Sequence, residues 1–150
     1  LALWLPGALL ACGAPPQASP VVPTVAADVV GVEAGGRPLA YAFAVGVASA
    51  DTGCEQYADW WEVVSLEGDL IYRRVLTHSH VAEQPFVRSG GPVPVSADTV
   101  VWVRAHMHPT GYGGRALRGS VAAGFEAAAP LAGFAAELAE LEPLPKGCAG

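Results

Sequence analysis

The chain has 150 residues, 52% apolar and 15% charged, with eight basic against fourteen acidic side chains and a net charge of −6. Apolar content on that scale excludes a disordered chain, and the length suits one domain with a core of its own. With a single lysine and an acidic balance, the composition also excludes a nucleic-acid binder that works by neutralising phosphates.

No Asp, Glu, Lys or Arg precedes Asp28. Residues 1–11 (LALWLPGALLA) form an apolar run that stops at Cys12. Coiled as a helix, such a run rises only about 17 Å against a hydrocarbon core of roughly 30 Å, so it is predicted to be the apolar part of a signal peptide rather than a membrane span. It starts at Leu1 with neither an initiator Met nor a basic segment, so an N-terminal truncation is expected. The residues Leu9-Leu10-Ala11-Cys12 resemble the lipobox of bacterial lipoproteins. That resemblance implies cleavage before Cys12, diacylation of its thiol, and a membrane partner reached through the lipid. It also implies a place in the bacterial cell envelope, on the periplasmic or surface side.

Residues 12–27 are uncharged and rich in proline, and Pro15, Pro16, Pro20 and Pro23 favour an extended tether. Assigning Cys12 to lipid leaves Cys54 and Cys148 as an even pair. In an oxidising compartment a disulfide is their simplest expectation, with two free thiols as the alternative.

From Val29 to about Phe125 the apolar pattern runs at period two or in short continuous stretches. Seven strands are predicted, at 29–34, 39–49, 59–65, 69–77, 86–95, 99–108 and 114–122, with Gly35-Gly36 and Glu67-Gly68-Asp69 as the clearest turns. This is the dimension of an immunoglobulin or fibronectin-like antiparallel β-sandwich, an all-β fold assigned to residues 28–126. Residues 127–150 are assigned to a short C-terminal helix and tail, the helix over 131–141, where Leu131, Phe134, Ala135, Leu138 and Leu141 recur at helical spacing.

In fibronectin-like order the segments 69–77, 59–65, 99–108 and 114–122 share one sheet, in that spatial sequence. The pairs His78-x-His80 and His106-x-His108 then finish at the same end of the sandwich, where 59–65 begins. Period-two alternation puts both imidazoles of a pair on one face, with His106 and His108 on the side of Trp102 and Arg104, away from the core. His78, His80, His106, His108 and Glu83 are therefore candidate metal ligands, and neutral imidazoles suit Zn or Cu.

Two family patterns touch these histidines. His78-x-His80 followed by Glu83 and Gly90 resembles the first metal motif of the cupins, with Tyr72 standing where that motif has a glycine. The resemblance implies His78, His80 and Glu83 as ligands of a metalloenzyme. His106-x-His108-Pro109 resembles the JAB/MPN metallopeptidase motif, but Ala116 and Gly119 occupy its serine and aspartate positions, which implies a degenerate relative.

Tyr57, Trp60, Trp61, Arg88 and Tyr112 fall around the same rim, where rings could stack on a glycan or anchor a protein partner. The adjacent Trp60 and Trp61 must face opposite sides of the sheet. Arg73, Arg74, Arg88 and Arg104 are expected to pair with Glu62, Asp69 and Glu83 on a solvated surface. No nucleophile elbow, phosphate loop or dinucleotide glycine motif is present in the sequence. The expected function is that of a lipid-anchored envelope protein that binds or scaffolds rather than catalyses, with metal binding as the alternative.

Overall fold

The computed structural model describes residues 12–19 and 25–149, so the signal-peptide expectation for residues 1–11 lies outside it. Eight strands form two antiparallel sheets. β1 (Ala27–Arg37), β2 (Ala40–Ser49) and β5 (Phe86–Val93) make the smaller sheet, in the order β1-β2-β5. β3 (Tyr57–Ser65), β4 (Leu70–Val75), β6 (Val101–His108), β7 (Ala116–Ser120) and β8 (Gly124–Ala128) make the larger, in the order β4-β3-β6-β7-β8. The strand order expected from the sequence is reproduced, with β8 added at the edge.

Alternation explains the core. Val29, Phe43, Val45, Val47, Phe86 and Val93 of the smaller sheet meet Trp61, Val63, Val103, Ala105 and Met107 of the larger. Burying each of the larger side chains contributes about 1.5–3 kcal/mol. Trp61 faces inward and Trp60 outward, as adjacent strand residues must.

Three expectations need correction. The β1–β2 turn is at Pro38-Leu39 rather than Gly35-Gly36, which lie within β1. Proline fixes the first corner there and Leu39 takes φ +66° at the second. β8 was not anticipated and crosses the boundary drawn at residue 126. The helix is one 3-10 turn, Ala136–Glu140, because Gly133 (φ +79°) and Ala135 (φ +46°) both take left-handed backbone and break the α-helical path over 131–135.

The outward face of the larger sheet is not open to water. Residues 129–149 run back across it, and the far end is tied down twice at the rim. Cys148 is disulfide-bonded to Cys54, and the Ala149 N–H donates to the Thr77 carbonyl at 2.8 Å. Under this cover Trp60, Glu62, Val64, Arg73, Trp102, Arg104 and His106 are all buried.

Candidate functional site

The rim assembles where the topology puts it, as a locked network. Asp51 accepts the backbone N–H groups of Ala58 and His80 at 2.9 and 2.8 Å and the Ser49 hydroxyl at 2.7 Å, tying the loop before β3 to the segment after β4. His80 is buried and stacks on Phe86 with ring centroids 3.8 Å apart. Burial, then the Arg88 charge and His78, push its pKa below the usual imidazole value. His106 Nδ1 lies 2.6 Å from Asp59 Oδ1, and its ring stacks on Trp60 at 3.7 Å.

The four histidines do not form one cluster. His78 and His80 are neighbours, with centroids 4.4 Å apart, while His106 is engaged by Asp59 and Trp60 and His108 lies against Tyr57. Glu83 pairs with Arg88 at 2.9 Å on the surface, and that hydrogen bond holds its carboxyl below the usual range. Among the described residues no group of three or more His, Cys, Asp or Glu is placed to hold a metal ion.

The expected docking rim also changes. Tyr57, Trp60 and Trp61 are buried, so their rings offer no surface for a partner. Burial, helped by Asp59 and Asp51, raises the Tyr57 pKa. Of the five rim candidates only Arg88 and Tyr112 keep partial exposure.

The covered face holds a charged layer. Glu62, fully buried, accepts Arg73 through Nε at 2.8 Å and Nη2 at 2.6 Å, and Arg104 through Nε at 2.8 Å. The two guanidiniums then donate to the tail itself. Arg73 reaches the carbonyls of Leu138, Leu141 and Pro143, and Arg104 those of Phe134 and Ala135. The expectation of a solvated surface therefore fails for Arg73 and Arg104, because the tail replaces water as their partner. Trp60 lies under Arg73, with the guanidinium carbon 4.3 Å from the ring centre, and Tyr112 under Arg104 at 3.6 Å. Burial, then the nearby Glu62 carboxylate, raises the Tyr112 pKa, although that hydroxyl makes no hydrogen bond of ordinary geometry.

Beside this layer lies a cleft of about 640 Å³, between the loop after β6 and the start of the tail. Its size falls among small-molecule sites. Arg104, Tyr112 and Arg115 supply its polar side chains, and Leu131, Phe134 and a run of alanines its apolar wall. Space exists because residues 127–133 (AAAPLAG) are mostly too small to fill it. Sequence reasoning missed this site. The uncharged, alanine-rich stretch before Leu131 was the available signal.

No family model matches the chain, and no solved structure does. The chain is similar to a protein of Halomicrobium mukohataei named "Putative lipoprotein", at 43% identity over 90 residues. The match covers 60% of this chain but spans only 43% of that protein's length.

Proposed function

We propose that this is a lipid-anchored envelope protein, held through Cys12, whose β-sandwich serves as a binding module at the end of a Pro-rich tether. The observation that carries the proposal is the match to a protein named as a lipoprotein, in a chain whose own Leu9-Leu10-Ala11-Cys12 has lipobox character. Two features support it. Cys12 is a free, exposed cysteine, whereas Cys54 and Cys148 are joined. Among the described residues no helix is long and apolar enough to cross a membrane.

The anchor is tested by expressing the chain, with its complete export signal, in a host that processes lipoproteins. The mass of the mature N-terminal peptide is then measured. A diacylglycerol-sized addition on Cys12, lost together with membrane partitioning in Cys12→Ser, is the expected result. An unmodified Cys12 thiol in the mature protein would refute the anchor.

A further inference from the structure

The charged layer on the covered face is unbalanced. Glu62 is one carboxylate between two buried arginines, so the Arg73–Glu62–Arg104 group carries one positive charge in excess. A buried charge without a partner is costly, and the ordinary remedy is a counter-ion. Donor counting locates where such an ion would sit. A guanidinium has five N–H groups. Arg73 engages all of its own, through two bonds to Glu62 and three to tail carbonyls. Arg104 engages three, one to Glu62 and two to the tail, which leaves two N–H groups without an acceptor among the described residues on a side chain only 6% exposed.

Arg104 is the member of this group that lines the cleft. Arg115, exposed and in no ion pair among the described residues, lines it as well. Among the described residues no Asp or Glu does, although the chain as a whole carries a net charge of −6. Two carboxylates lie next to lining residues without lining the cleft: Glu62, which accepts from Arg104 Nε at 2.8 Å and is already shared with Arg73, and Asp28, whose Oδ1 accepts the Arg115 backbone N–H at 2.7 Å. The remaining wall is apolar, and Leu131 at its lip is 86% exposed. Leu131 thus carries the apolar wall outward to solvent at the cleft's edge.

We infer that this cleft is the binding site of an apolar monoanion, a carboxylate with an alkyl body. The head group accepts the unengaged N–H groups of Arg104 with Arg115 beside it. The alkyl body lies along the alanine-rich wall to Phe134 and Leu131. The inference rests on the binding-module reading proposed above and names its ligand class, but it does not depend on the anchor.

Calorimetric titration of the purified chain with dodecanoate, dodecanol and acetate, below any micelle-forming concentration, tests it. Expected is one-to-one binding of dodecanoate, with dodecanol and acetate at least tenfold weaker. Arg115→Gln should weaken dodecanoate severalfold, and the filled-cleft variant Ala129→Trp/Ala132→Trp should abolish binding. Both variants alter exposed residues, so folding is preserved and checked by circular dichroism. Equal binding of dodecanoate and dodecanol, binding unchanged in the filled-cleft variant, or no binding of dodecanoate would each overturn the inference. Acetate binding as tightly as dodecanoate would also overturn it, in favour of a bare anion site. Cys12→Ser should leave the titration unchanged, so the fates of the anchor and of the cleft are read separately.

Discussion

At Glu62, a single carboxylate fully buried from bulk solvent answers two arginines. Neutralising it as Glu62→Gln leaves both guanidiniums buried and uncompensated, and should cost about 3–5 kcal/mol in urea unfolding. A loss below about 1 kcal/mol would mean that the tail carbonyls alone suffice. His80 predicts a different dependence. Its folded pKa lies below 6.5, its value in the unfolded chain, so on acidification the unfolded chain takes up the proton first. Stability contributed by neutral His80 is full above the unfolded value and falls as pH drops below it, toward the lower folded value. Urea midpoints measured between pH 7.5 and 5 should therefore decline, and less so in His80→Gln. An equal decline in both proteins would assign the acid sensitivity elsewhere. Neither residue's role was legible in isolation. Glu62 reads as a surface acid until Arg73 and Arg104 are known to meet it from two neighbouring strands.

Among the elements, the tail has the least regular structure and the most fastenings. Five of its carbonyls are held by the two buried arginines and its end by the disulfide. The Cys54–Cys148 bridge closes a loop spanning 94 residues, so Cys54→Ser/Cys148→Ser should lose about 4–5 kcal/mol on the chain-entropy model. Hydrogen exchange in that variant should rise first over residues 144–149, beyond the reach of the arginines, while 134–143 stay protected. Uniform loss of protection across the tail would mean that the bridge, rather than the arginines, holds all of it. The strands were readable because period-two alternation survives in β1, β2 and β6. The tail was not, since apolar residues at helical spacing over 131–141 say nothing of the left-handed backbone at Gly133 and Ala135. One clue was present in β3. Its Trp-Trp-Glu-Val-Val run has no clean polar alternation, which is the pattern of a strand covered on both faces, and here the second cover is the tail.

For the whole molecule, the strand order followed from the sequence because the fibronectin-like arrangement is one of few that bury seven short amphipathic strands. The candidate site did not, because it lies between a sheet face and an irregular segment, and no periodic signal marks such a junction. At the end of the sandwich where the two histidine pairs lie, His80 is buried against Phe86 and His106 against Trp60 and Asp59, while His78 and His108 stay exposed. A cleft lies instead on the flank, where small residues of the tail's first stretch fail to fill the space beside Arg104.

The Cys54–Cys148 bridge also decides what a protease can release. Both cysteines lie outside the span that contains β3 to β8, so a nick in any exposed loop between them leaves the two pieces covalently joined. A cut in the exposed Pro-rich stretch after Cys12 behaves in the opposite way, because the whole sandwich lies downstream of it. With the anchor proposed at Cys12, a nick between Cys54 and Cys148 sheds nothing, whereas one cleavage in the tether sheds the domain intact with its cleft.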